Sequence, residues 1–153
     1  MTTAQRIAFI RDFPTMLEQL VSHLTPIQLT TAWNAPEWTI AQNVHHCADS
    51  HMNSYLRCKF ALTEENPTIT DYEQDLWATS ADGNLPDLSP SFAMLHGLHQ
   101  RWAVLFENMG DGTQTFFHPT RQKTYTLDFV LTAYVEHGQG HLQQIREVMA
   151  KME

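Results

Sequence analysis

Apolar side chains recur at Ile7, Ile10, Phe13, Leu17, Leu20, Val21 and Leu24, the spacing that lines one face of a helix. Pro14 interrupts this first segment, residues 3–24, and should kink the helix or restart it. Thr25-Pro26 then joins an N-cap to a proline at the first helical position, so TPIQL reads as a short extra turn before the loop holding Pro36. A second long helix opens at Thr39, whose Thr-x-x-Gln pattern with Gln42 makes a capping box. Neither glycine nor proline follows until Pro67. Residues 65–88 are polar and contain Pro67, Gly83 and Pro86. Only DYEQDLW suggests a helical turn there, so the stretch reads as a long surface crossover, and connections of that length commonly serve function.

Ser89-Pro90 reads as another N-cap and first-position proline, and Phe92, Leu95, His99, Trp102, Phe106 and Met109 form one helical stripe that ends at Gly110. Residues 111–125 hold turn formers and a β-leaning patch long enough only for a hairpin-like loop. Thr126 caps a fourth helix with Leu127, Val130, Leu131, Tyr134, Ile145, Val148 and Met152 as its apolar stripe. Four long helices without a credible sheet predict an all-α four-helix bundle, and the long second connection favours a crossover topology over simple up-and-down. No internal repeat or domain-splitting linker is visible, so residues 1–153 read as a single domain.

Composition narrows the function classes. The chain carries a formal net charge of -8 with only nine Lys and Arg residues, which argues against a phosphate-tracking surface and hence against nucleic acid as a partner. No signal peptide and no run of about 18 apolar residues is present, so neither secretion nor a membrane span is expected, and a cytoplasmic location follows. The two cysteines, Cys47 and Cys58, lie 11 positions apart on one helix, roughly 16 Å of axial rise, and cannot pair with each other. They read as small buried apolar side chains in a reducing compartment.

The chemistry is concentrated in histidine. In YVEHGQGHLQQI, His137 and His141 are four apart and share a helix face with Val130 and Val148. Two adjacent inward-facing imidazoles must share hydrogen-bond partners or a cation, and a divalent metal meets that need. A third ligand must come from elsewhere, and WTIAQNVHHCADSHMNSYLR offers His45, His46 and His51. At about 100° per residue, Ser50, Asn53 and Arg57 lie nearly in line with His46, whereas His45 and His51 point away and should pack or face solvent. The stripe is either a polar wall inside the bundle or the solvated face of the helix.

The run HHCADSHMNSYLR with LTEE closing the helix, preceded by Trp38-Thr39 and followed by LHQRW, FFHP and HGQGH, resembles the DinB-like superfamily. Within it, the likeness is to the YfiT group of bacillithiol S-transferases and metal-dependent hydrolases. The resemblance covers nearly the whole chain. It implies an up-down-down-up four-helix bundle, commonly a homodimer, with one divalent metal held by three histidines; on this chain these are His46, His137 and His141. Cys47 stands where the family usually has leucine, which leaves its redox sensitivity open.

Three neutral imidazoles leave a coordination position free for water or substrate. The resemblance implies a zinc or nickel centre that binds a low-molecular-weight thiol as thiolate and transfers its sulfur to a small electrophile. Arg57 and Asn53 are candidate positioning residues for an anionic substrate, with Asp49 and Ser50 as supporting partners. Two alternatives remain: hydrolysis of a small amide or ester by the same centre, and a non-catalytic stress-response bundle. His99 reads as a satisfied core histidine that could also line the pocket, while His23, His96 and His118 have no evident converging partner. Gly138 and Gly140 each cost a helix about 1 kcal/mol relative to alanine, which calls for substrate space or close helix packing.

Overall fold

The computed structural model describes residues 1–152. Its elements in chain order are α1 (Thr3–Val21), α2 (Pro26–Thr30), α3 (Ile40–Thr63), α4 (Gln74–Ala78), α5 (Ser89–Glu107), β1 (Thr115–His118), β2 (Lys123–Thr126) and α6 (Leu127–Met149). Capping chemistry sets many of the boundaries. Thr2 with Gln5, Thr25 with Gln28 and Thr39 with Gln42 all form reciprocal capping boxes, and the Thr126 hydroxyl accepts from Phe129 N–H to open α6. The start of α5 departs from the sequence reading. Ser89 is the first helical residue and not the cap; its amide and hydroxyl both donate to the Asp87 carboxylate, at 3.0 and 2.7 Å.

Pro14 neither ends nor restarts α1, which runs through it without a break. A proline has no N–H to give the carbonyl four residues back, but the Ile10 carbonyl is taken instead by the His99 ring. The first helix also ends at Val21, short of Leu24.

Cross-helix contacts fix the directions of the four long helices. His51 meets His99, and His45 meets Ser91, so α3 and α5 run parallel. Asn43 meets His141 while Ser50 meets Tyr134, so α3 and α6 run antiparallel. Ile10 meets His99 and Glu18 meets His96, so α1 and α5 are antiparallel, and Arg6 bonds Thr132 as Phe13 abuts Gly138, so α1 and α6 are parallel. This is the up-down-down-up bundle. Residues 111–125 supply a two-stranded antiparallel hairpin in which Phe116 faces Tyr125 and His118 faces Lys123. Among the described residues no helix is long and apolar enough to cross a membrane.

The interior is divided. One apolar cluster gathers Phe13, Leu17, Val44, Cys47, Leu95 and Ile145 at one end, and a second gathers Ile10, Cys58, Trp102, Phe106, Leu127 and Leu131 at the other. Cys47 belongs wholly to the first cluster, and burial pushes its thiol well above the ordinary range. Burial likewise pushes Cys58 up to about 12, so both thiols are inert packing groups. Near the junction of the two clusters lies a belt of imidazoles.

Candidate metal centre

His46 from α3 and His137 and His141 from α6 converge, with ligand nitrogens that lie within 4.8 Å of one another. Nε2 of His137 is 3.3 Å from Nε2 of His46 and 3.2 Å from Nε2 of His141. A tetrahedral ion bonded at about 2.0–2.1 Å holds its nitrogen ligands about 3.3–3.4 Å apart, so both separations from His137 match the spacing a single divalent metal requires. Among the described residues no carboxylate or thiol joins this group.

Protonation supports the same fit. Burial, together with the neighbouring His141, lowers His46 to about 3, and burial lowers His141 to about 4. Burial first, then His141 and His46, places His137 well below its ordinary value. All three are therefore neutral at physiological pH, the state in which imidazole can ligate. The His141 tautomer is fixed by Asn43. The Asn43 amide nitrogen donates to the Thr39 carbonyl at 3.0 Å, which turns Oδ1 toward His141 Nδ1 at 2.8 Å. His141 Nδ1 must then carry the hydrogen, and its Nε2 lone pair faces the centre. The Trp38 indole packs against His46 at 4.6 Å between centroids and stacks parallel to His141 at 6.4 Å, shielding this side.

The supporting partners differ from those the sequence suggested. Asp49 bonds neither α6 histidine; its half-buried carboxyl is raised by burial and by Asp82. Ser50 bonds the Tyr134 hydroxyl at 3.1 Å. The groups that hydrogen-bond the ligand rings from behind are Asn43 and His51. His51 is fully buried and spans His137 and His99, at 3.1 and 2.7 Å. His45 packs as expected, donating from Nε2 to the Leu85 carbonyl at 2.9 Å and accepting from Ser91 at 2.7 Å.

Two cavities open from the histidines. The smaller, about 400 Å³, is lined by Glu37, Trp38, all three candidate ligands, Gln74 and Asp75. The larger, about 590 Å³, reaches from His137 past Tyr134, Ser50 and Tyr72 to Arg57, His118 and Arg121. Gln74, Asp75 and His137 border both. The long crossover thus contributes α4 as a partition beside the metal position. Burial pushes Tyr72 up to about 12, which keeps its phenol a hydrogen-bond donor.

Arg57 reaches the larger cavity as its place in line with His46 suggested. It contacts Asp71 at 3.4 Å, and its buried Nε has no partner. Asn53 does not reach either cavity at the histidines. Its amide nitrogen is turned back along its own helix to the Asp49 carbonyl at 2.8 Å, and it lines a separate groove with Leu56, Phe60 and Glu64. His118, without a partner in the sequence reading, lies buried at the end of β1 with Nε2 3.7 Å from Asp71. Its Nδ1 accepts from the Arg121 amide, so Nε2 carries the hydrogen. Gly138 proves to be a packing glycine: a Cβ there would lie 2.9 Å from the Phe13 ring. Gly140 is exposed and has open space around it.

Known proteins share this architecture. A model of the DinB superfamily matches residues 10–145. "Putative metal-dependent hydrolase YfiT" of Bacillus subtilis is 39% identical over 148 residues, covering 95% of this chain and 83% of that protein. A "Putative metal-dependent hydrolase" of Geobacillus thermodenitrificans is 43% identical over 141 residues, covering 91% and 79%. The solved structure of YfiT from Bacillus subtilis, described as "a probable metal-dependent hydrolase with an unusual four-helix bundle topology", matches with a TM-score of 0.93. That match has 38% identity over 98% of this chain and 87% of that one.

Proposed function

The chain belongs to the DinB superfamily, and from that premise we propose that it is a metal-dependent enzyme that conjugates a low-molecular-weight thiol to a small electrophile. His46, His137 and His141 would hold one zinc or nickel ion. Bound by three neutral imidazoles, such an ion keeps a coordination position open and lets a thiol or water there lose its proton near neutral pH.

The observation that carries the reading is the position of His137, a candidate ligand that borders both cavities. Two reactants entering on either side of Gln74 and Asp75 would meet at the same centre, as a transfer reaction requires. At the far end of the larger cavity, Arg57 and Arg121, with the Nε2–H of His118, would receive an anionic group of one reactant. The phenols of Tyr72 and Tyr134 lie between that end and His137 and would orient the bound molecule.

A hydrolytic reading uses the same histidines. Asp75 lines both cavities and would serve as the base that takes a proton from an attacking water, and the descriptions of the Bacillus subtilis and Geobacillus relatives agree with it. The metal-loaded protein should be assayed with a panel of cellular thiols and a chlorobimane, and separately with ester and amide substrates without thiol. Conjugation that needs both metal and thiol supports transfer, and thiol-independent cleavage supports hydrolysis. Neither activity in stoichiometrically loaded protein would sink both.

A further inference from the structure

His51 and His99 are fully buried and belong to neither cavity at the metal position. Their hydrogen bonds nevertheless form one line that starts in α1 and ends on a candidate ligand. The line begins with Pro14. Lacking an N–H, it leaves the Ile10 carbonyl without its helical donor, and His99 Nδ1 lies 2.5 Å from that oxygen.

A carbonyl oxygen only accepts, so His99 Nδ1 carries the hydrogen. A neutral imidazole has a single N–H, which makes His99 Nε2 an acceptor. It faces His51 Nδ1 at 2.7 Å, so His51 donates from Nδ1 and holds a lone pair on Nε2. That lone pair faces His137 Nδ1 at 3.1 Å. His137 must donate there, and its Nε2 is left bare toward His46 and His141.

Each inference of direction needs neutral rings, and the surroundings supply that condition. Phe13 lies 5.1 Å from His51 and 5.5 Å from His99 between ring centroids, and Trp102 lies 5.8 and 5.6 Å away. Such a dry aromatic setting disfavours imidazolium.

We propose that His51 and His99 are positioning residues that, anchored on the carbonyl freed by Pro14, lock His137 into the Nδ1–H tautomer and aim its Nε2 lone pair at the metal position. The proposal rests on the three-histidine centre described above, but its first consequence exists without any metal. A ligand locked in this way binds without first having to exchange its tautomer, and the acceptor behind it raises its basicity.

Nitrogen-15 NMR of the metal-free protein, labelled at histidine, tests the lock directly. His99, His51 and His137 should all show protonated Nδ1 and bare Nε2; a protonated Nε2 on His137 would overturn the proposal. The second measurement is zinc affinity by competition with a chromophoric chelator. His51→Leu should weaken binding about 10- to 100-fold, and His51→Gln, whose side-chain oxygen can accept from His137 Nδ1–H, should recover much of the loss. Unchanged affinity in His51→Leu, or no recovery in a folded His51→Gln, counts against it. Should His51→Leu not fold, the wild-type NMR result decides. A wild-type protein that takes up no metal would overturn the metal reading and the proposal together, whereas metal uptake with His137 protonated at Nε2 would overturn the proposal alone.

Discussion

The two α6 ligands are held by unlike means. His141 is fixed by a single asparagine whose own amide is tied to the carbonyl that begins the same helix, so this arm is built within the first turn of α3. His137 is backed by a line through α3 and α5 to α1. The short arm needs only α3 and α6 to pack, because Asn43 is oriented within its own helix. The long arm depends on the bundle being assembled, because each of its members comes from a different long helix. One ligand can therefore be set once two helices meet, and the other only when all four have packed.

That contrast can be broken first with acid. In the unfolded chain an imidazole takes a proton below about pH 6.5. In the folded, metal-free protein burial lowers His99 to about 4, and burial with His141 lowers His46 to about 3; His51 and His137 lie well below 6.5, burial again being the largest cause. Between about pH 6.5 and 4 the unfolded state binds more protons, so stability falls as pH falls, by up to about 1.4 kcal/mol per pH unit for each such group. Thermal melts across this range should show steep acid destabilisation, to which His141 of the short arm, lowered to about 4 by burial, contributes one group and the long arm three. A melting temperature that stays flat from pH 7 to 4.5 would contradict the burial of these rings.

A steric change aimed at one arm comes next. Gly138→Ala would press on Phe13, which packs over His51 and His99, and should destabilise by about 1–3 kcal/mol and weaken metal binding. Asn43→Ala should weaken metal binding about tenfold. It strands one ring N–H, whereas a break at His51 strands two ring nitrogens; chelator competition on the two variants compares the arms directly. The smallest effect belongs to Gly140→Ala, which has open space and should stabilise the helix by up to about 1 kcal/mol without altering metal affinity, as melting and titration would show.

Much of the architecture was legible because it depends on local signals. The Thr39-x-x-Gln42 box, the 3.6-residue stripes and the length of the second connection led to the four helices and the crossover. The convergence of His46 with the α6 pair followed from direction and resemblance together. His51 packs, as one branch of its reading allowed, but its bonds to His99 and His137 were missed because attention stayed on the single line through His46. In fact the first half of α3 is buried on nearly every side, since α5, α6 and the crossover all cover it, so a histidine pointing away from His46 still points into the protein. Its partner His99 is 48 positions distant, beyond any periodicity. A usable signal did exist. A histidine on an apolar stripe needs a partner for each ring nitrogen, and His99, read as a satisfied core histidine, had been given no partner by name. Pro14 was read only as a threat to its helix, although an unserved carbonyl is also an available acceptor.

The α4 partition has a kinetic consequence. The crossover that carries it is bound to the first turns of α3 by Gln42 to the Ala78 carbonyl, Thr39 to Asn84 and His45 to the Leu85 carbonyl. These bonds anchor the crossover from the C-terminal end of α4 onward, beside the two doorways that Gln74 and Asp75 border. If each doorway admits one reactant, neither has to wait for the other. Initial-rate plots should then intersect, as for random addition to a ternary complex, and a dead-end analogue of one reactant should not compete with the second.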